Sequence, residues 1–309
     1  MLAAAWESQA QLRSERLASI VVPVSPGSLL DIVTRRFAEA LRDVGMQAHQ
    51  VENAPGGSGV VAANQVLRRP ADGNTLLIGT SGMICNVPLL AKGRVSFDPR
   101  QDLMPVFALG RTPFVLFAGA GFPAGNLREL QDLARSRRAE LLYAGSEIGS
   151  ANHVAGEVLL GMLGTRGTHV PYLQNPQAYH DVIEGRVDFG IYGWNNIAPL
   201  VKAGRARVLA LLANQPLRAD PSIQTVESQG YGKFEIQGWY GLFTRRGVPE
   251  ELLRAYEKTL DRIVEARSFV DFLHDAGQVP LMLKGNDFSS FIDSETERYR
   301  QVFLKLKLI

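Results

Sequence analysis

At 309 residues the chain has room for two hydrophobic cores, and 46% hydrophobic with 21% charged residues is the make-up of a folded globular protein. Its 33 basic and 31 acidic residues leave a formal net charge of +2, which gives no electrostatic footprint for nucleic acid. The single cysteine, Cys85, excludes an internal disulfide and a cysteine-built zinc site, and no run approaches the roughly 18 apolar residues that span a bilayer.

The opening stretch, Met1 to Ser19, is polar and rich in Ala, Ser, Gln and Arg, with no apolar stretch of signal-peptide length. Composition is compatible with a cytoplasmic chain and equally with one whose leader has been removed. Ile20 to Val24 reads as a short buried strand, followed by Ser25-Pro26-Gly27. Ser28-x-x-Asp31 has the form of a capping box and starts a helix whose apolar positions are Val33, Phe37, Ala40, Leu41 and Val44. Ala48 to Glu52 reads as the next strand and ends in the Gly-rich loop Pro55-Gly56-Gly57-Ser58-Gly59. A short helix runs to Leu67, and after the turn Pro70 to Gly73 a strand over Thr75 to Gly79 leads into Thr80-Ser81-Gly82.

A second series begins with the strand Phe114 to Ala118, a helix over Asn126 to Arg137, the strand Leu141 to Ala144 and the loop Gly145 to Gly149. A helix with Val154, Val158, Leu159 and Met162 on one face comes next, then strands at Val187 to Ile191 and Val208 to Ala213. The end of the chain is helical, with one stripe of Leu252, Leu253, Tyr256, Leu260 and Ile263 and another of Phe288, Phe291, Ile292, Tyr299 and Val302. Alternating strand and helix patterns favour parallel βα units. The break at Thr112-Pro113 and a return near Gln237 to Phe243 divide the chain into a discontinuous first domain, 17–112 plus 237–309, and a second, 113–236. Two crossings between α/β domains make a hinge, and the expected architecture is a clamshell of two mainly parallel sheets flanked by helices.

In such sheets the loops that leave the carboxyl ends of strands collect ligands. Two of them, Ser25 to Leu30 and Gly145 to Ser150, lead straight into helices. A helix N-terminus offers unpaired N–H groups and about half a positive charge, which suits a carboxylate. If both helix ends open on one cleft, an acid is held by backbone donors without arginine. Enzymatic alternatives are weaker. Cys85 could pair with His153 or His169 as a nucleophile, but a free cysteine beside a strand end is usually core. Gly57-Ser58-Gly59 lacks the Lys-Ser/Thr of a phosphate loop, and no G-x-S-x-G elbow is present. His153 and His169, 16 positions apart, lack helix-pair metal spacing, and Asp188 reads as a loop-fixing side chain sooner than a general base. Neither a catalytic residue, a metal nor a cofactor is expected.

Beyond about Leu17 the chain resembles, in order, the substrate-binding receptors of tripartite tricarboxylate transporters, the Bug proteins. The resemblance rests on Ile20-Val21-Val22-Pro23, Pro26-Gly27, Asp31-Ile32-Val33, Val51-Glu52-Asn53-x-Pro55-Gly56-Gly57-Ser58-Gly59, Ala71-Asp72-Gly73-x-Thr75-Leu76-Leu77 and Gly79-Thr80-Ser81-Gly82. It continues through Phe97-Asp98-Pro99, Gly149-Ser150 with His153, Ala155-Gly156-Glu157, His169-Val170-Pro171-Tyr172 and Gly185-x-Val187-Asp188. The resemblance implies a type II-like, two-domain periplasmic-binding-protein ("Venus flytrap") fold. It further implies a periplasmic, monomeric receptor that hands a small organic acid to integral-membrane transporter subunits, with ligand sensing for a membrane signalling partner as the alternative. It carries the ligand-binding role onto Ser25, Pro26, Gly27, Ser28, Leu29, Leu30 and Asp31, onto Thr80, Ser81 and Gly82, and onto Glu147, Gly149, Ser150, Ala151 and His153, with Tyr172, Asp188 and Tyr192 completing the set. For His153 this reading leaves two roles open, touching the ligand or only supporting the loop.

Several positions depart from the family pattern. Leu29 and Leu30 stand where hydroxyl residues are usual, Ala151 where a serine is, Glu147 where a small residue is, and Tyr192 where an aspartate is frequent; Leu173-Gln174-Asn175 replaces a common Lys-Gly-Gly. If Leu29, Leu30, Tyr192 and Trp194 face the cleft, the exchange favours a larger or partly aromatic acid. Glu147, if it faces inward, repels a second carboxylate or attracts an amine.

Overall fold

The computed structural model describes residues 18–91, 95–137, 140–234, 236–305 and 307–309. Residues 1–17, and with them the question of a leader, lie outside the described residues. The first elements are β1 (Ala18–Val22), α1 (Leu29–Asp43), β2 (His49–Asn53), α2 (Val60–Leu67), β3 (Thr75–Thr80), the short α3 (Val87–Leu90) and α4 (Pro99–Asp102), and β4 (Leu103–Thr112). A second series follows with β5 (Phe114–Gly119), α5 (Leu127–Ser136), β6 (Leu141–Gly145), α6 (Ala151–Met162), β7 (Gly167–Pro171), α7 (Asn175–Ile183), β8 (Phe189–Gly193), α8 (Trp194–Lys202) and β9 (Ala206–Leu212). The chain closes with β10 (Gly238–Arg245), α9 (Glu250–Glu265), α10 (Ser268–Asp275), β11 (Val279–Lys284) and α11 (Gly285–Lys305).

These strands form two sheets, in the order β11-β4-β10-β3-β1-β2 and β7-β6-β8-β5-β9. We refer to the layers around them as the first and second lobes. The backbone passes from the first sheet to the second across one residue, Pro113, and returns between Leu212 and Gly238. Parallel pairing is confined to β1-β2, β1-β3, β6-β7 and β6-β8, the half of each sheet that the two ligand-loop candidates leave. Beside that half, β10 and β5 run antiparallel to both of their neighbours and β11 runs antiparallel to β4, so the sheets are mixed and not mainly parallel as expected.

The helices follow from their sequence stripes. In α1, Val33, Phe37, Ala38 and Leu41 are buried against β1 and β3 residues such as Ile20, Val22, Leu76 and Ile78. Tyr256, Leu260 and Ile263 of α9 fill the same cluster, while Phe288, Ile292, Tyr299 and Phe303 of α11 pack on the opposite face of the first sheet. Strands β4, β7 and β11 escaped the sequence reading. Strand β4 carries Pro105, Gly110 and Arg111 and is paired through two register shifts, so its apolar residues do not alternate. The edge strands β7 and β11 are only partly buried, and β11 tolerates Pro280 and a positive φ at Met282 where its pairing slips.

Candidate functional site

The helix starts at α1 and α6 are built alike. At α1, Gly27 sits at φ +78°, Ser28 is the extended N-cap, and its Oγ accepts from the Asp31 N–H at 3.4 Å. The Gly27 N–H donates to Asp31 Oδ2 at 2.8 Å, so the capping pair closes on the residue before the cap. At α6, Gly149 sits at φ +85°, Ser150 is the extended N-cap, and its Oγ accepts from the His153 N–H at 3.4 Å. The Gly149 N–H donates to His153 Nδ1 at 3.1 Å. One pattern, Gly-Ser-x-x-(Asp or His), makes both turns. Each glycine supplies a backbone angle that a side chain resists.

Each cap leaves two amides unspent. Among the described residues, the N–H groups of Leu29 and Leu30 at α1, and of Ala151 and Asn152 at α6, have no backbone acceptor outside their helices. Both turns open on a single cleft of about 790 Å³, lined by Ser25, Pro26, Gly27, Ser28, Leu29 and Leu30 from the first lobe and by Ser146, Glu147, Ser150, Ala151 and Asn152 from the second. Thr80, Ser81 and Gly82 line it from the end of β3, and a Cβ placed on Gly82 would stand 3.8 Å from the Ser150 Cα, which brings the two lobes into contact there. Hydrogen bonds bridge the same gap. Asn86 Nδ2 donates to the Gly149 carbonyl at 2.8 Å, and Glu147 Oε2 accepts from the Ser58 N–H at 2.6 Å and from its Oγ at 2.7 Å.

Asp31 is buried but does not line the cleft. Burial opposes its ionisation, yet donors from Arg35, Gly27 and Asn53 outweigh that and hold its carboxyl below the usual range. It fixes the loop that presents the amides. His153 does the same for the second loop. It is buried, tilted against His169 with ring centroids 4.3 Å apart, and burial holds it below the ordinary histidine range. His169 is pushed down to about 4 by burial, with His153 beside it. Gly149 contributes conformation and a carbonyl without lining the cleft.

Two further expectations are corrected by geometry. Asp188 is remote from the cleft: at the start of β8 its Oδ2 accepts from the Leu142 N–H at 2.8 Å and its Oδ1 pairs with Arg137 at 2.5 Å. Residues at the entry of a strand lie at the sheet edge opposite to the ligand loops. Trp194 also turns away, into the core of the second lobe with Tyr192, Ile197 and Leu211, whereas Leu29, Leu30 and Tyr192 do line the cleft. Cys85 is buried in the first lobe, receives a hydrogen bond from Thr296 Oγ1 at 3.3 Å, and burial raises its thiol to about 12, so it is no nucleophile.

Away from Glu147, the second-lobe wall is aromatic and neutral. Tyr172, Tyr179 and Tyr192 line it together with Asn175 and Asn196. Tyr179 and Tyr192 meet edge to face with centroids 4.9 Å apart. Tyr172 donates to Asp181 Oδ2 at 2.7 Å, while the hydroxyls of Tyr179 and Tyr192 are buried with Asn175 and Ser146 as their polar neighbours. Sequence reasoning missed Ser58, Ser146, Asn152, Tyr179, Asn196, Trp239, Tyr240 and Gln278 as lining residues. The repeated Gly-Ser-x-x pattern could have pointed to Asn152; the rest come together only through the crossing of the two sheets. Among the described residues the lining contains one charged side chain, Glu147. A second hollow of about 890 Å³, between Phe97, Arg100, Phe243 and Asp293, is enclosed by the first lobe alone, so closure of the lobes cannot trap a ligand in it.

Comparison with known proteins agrees with this arrangement. The family model "Tripartite tricarboxylate transporter family receptor" matches residues 33–308. The chain is 28% identical over 309 residues to a UPF0065 protein of Bordetella pertussis, covering all of this chain and 95% of that one. It is 25% identical to Protein BugT of the same organism over 93% of this chain and 90% of the relative. Among solved structures, the R. palustris protein Rpa4515 with adipate superposes with a TM-score of 0.87 at 29% identity, covering 94% of this chain and 96% of that one. MatC from Rhodopseudomonas palustris with bound malate gives 0.82 at 25% identity, with 93% and 99% covered.

Proposed function

Because the chain belongs to the tripartite tricarboxylate transporter receptor family, a family of solute-binding receptors and not of enzymes, we propose that it captures a small carboxylate-bearing molecule between its lobes and delivers it to membrane transporter subunits. The observation that carries the reading is the matched pair of Gly-Ser caps, each with two unspent amides, on one cleft shared by two lobes. An anion entering there meets main-chain donors and the positive ends of α1 and α6, each charge-assisted hydrogen bond contributing about 1.5–3 kcal/mol. A few such bonds, with water expelled by closure, suffice for micromolar affinity.

On this reading the ligand-binding set is Ser25 to Leu30, Thr80 to Gly82, Glu147, Ser150, Ala151, Tyr172 and Tyr192, with Asp31, Gly149 and His153 holding the loops. The two lobes, 17–112 plus 237–309 and 113–236, move as units about the Thr112-Pro113 and 213–237 crossings. The receptor works in the periplasm as a monomer. Leu29, Leu30, Tyr179 and Tyr192 line more apolar and aromatic surface than a citrate-sized acid needs, which supports a longer or partly aromatic acid. The adipate and malate named with the two solved relatives support the carboxylate class.

Native mass spectrometry of protein purified without unfolding reads out any retained ligand. A thermal-shift panel of aliphatic and aromatic acids on protein stripped by unfolding and refolding then measures its replacement. Ligand at 100 times its Kd should add about 2.7 kcal/mol. A panel in which no carboxylate raises the Tm would end the receptor reading.

A further inference from the structure

The two anchoring turns differ in charge, and the difference bears on what the far end of the ligand can be. At α1 the acid in the first helical turn, Asp31, is paired with Arg35 at 3.0 Å, so that end of the cleft carries the helix's positive pole over a neutral pair. At α6 the Ser150 N–H donates to the Glu147 carbonyl at 3.0 Å, so the Glu147 side chain springs from the turn that leads into the cap. Its carboxylate lines the cleft and is held by the neutral donors of Ser58 across the gap, with no Lys, Arg or His among the described lining residues to balance it. A fixed negative charge at this place offsets the positive pole of α6 for any second anion. Beside it stand groups suited to an uncharged partner. Tyr192 is 3% exposed, and its hydroxyl and that of Tyr179 are buried at the cleft wall beside the neutral side chains of Ser146 and Asn175.

We propose that Glu147 is a specificity-determining residue that restricts the cleft to monocarboxylates, the single carboxylate seated at α1 and an uncharged far end seated among Glu147, Tyr179 and Tyr192. The inference rests on the receptor reading and narrows it. Two like charges across part of such a cleft differ from a charge facing a neutral group by about tenfold or more in affinity at an effective dielectric near 20.

Isothermal titration of stripped protein with hexanoate against adipate, and with 3-phenylpropionate against 3-(4-carboxyphenyl)propionate, tests it. In each pair one terminal carboxylate is the difference. The monocarboxylate should bind at least about tenfold tighter, and added salt should narrow the gap. Glu147→Gln keeps an acceptor for Ser58 and should bring the pair within about threefold, chiefly by tightening the dicarboxylate. Ser58→Ala, which leaves the charge in place, should preserve the gap. A dicarboxylate that binds wild type as tightly as its partner, or a gap insensitive to salt or to Glu147→Gln, overturns the inference and leaves the receptor reading standing. If these probes and every acid of the thermal-shift panel fail to bind, both fall together.

Discussion

Gly27 and Gly149 are alike in backbone angle and unlike in surroundings, which separates two costs of adding a methyl group. A Cβ on Gly27 meets nothing within 4 Å, whereas one on Gly149 would stand 2.8 Å from Leu90 Cδ1. Gly27→Ala should therefore cost about 1–2 kcal/mol of left-handed strain in a urea titration, and Gly149→Ala measurably more. Both should reduce the ligand-induced rise in Tm, because both tilt an anchoring turn. Asp31→Asn removes the Arg35 ion pair and should lower stability by about 1–3 kcal/mol at neutral pH. The Asp31 carboxyl is held low in the folded state, so its contribution is present above the ordinary carboxylate range and lost as pH falls from that range through the lower folded-state value. The variant should accordingly lose part of the wild type's stability change in that acid range. At this scale the sequence was informative where a residue's job is local. Ser28 and Asp31 declare themselves as a capping pair by spacing alone. Which way Trp194 points, or that Asp188 stands at the wrong end of its strand, depends on register against strands far away in the chain.

Elements with a clean helical stripe were legible because burial on one face writes a period into the sequence. The α1, α9 and α11 stripes are of this kind. Strands β4, β7 and β11 write none, being bulged or at an edge. Helix α6 shows how tightly the readable elements are set: a Cβ on Gly156 would fall 2.4 Å from Tyr143 Cε2 on β6. Gly156→Ala should push the helix off its sheet and destabilise the second lobe by about 1–3 kcal/mol, seen as a lower urea midpoint with unchanged slope. The same shift displaces the Ser150 cap, so ligand affinity should drop further than stability alone accounts for.

For the molecule as a whole, the two-sheet clamshell was foreseeable from the order of strand and helix patterns, while the cross-lobe bonds were not. Ser58 and Glu147 are 89 positions apart, and nothing local to either announces the other. The pairing of buried His153 with half-buried His169 gives the second lobe a pH dependence. His169 is pushed down to about 4 from its ordinary value near 6.5. The unfolded chain therefore binds more protons in between, and the contribution of His169 to stability is whole above about pH 6.5 and declines as pH falls toward 4. A Tm profile across that window should slope upward with pH, and His169→Gln should flatten it. Protonation of His153 at Nδ1 would at the same time evict the Gly149 N–H, so affinity should weaken on the acid side in parallel titrations.

The donors proposed to anchor the acid are main-chain amides, and a peptide N–H is the same whatever residue carries it. No codon change at Leu29, Leu30 or Ala151 can delete those donors, apart from a change to proline. Descendants of this receptor can thus exchange the side chains around the anchor, and with them the cargo, while hold on an acid group is inherited intact.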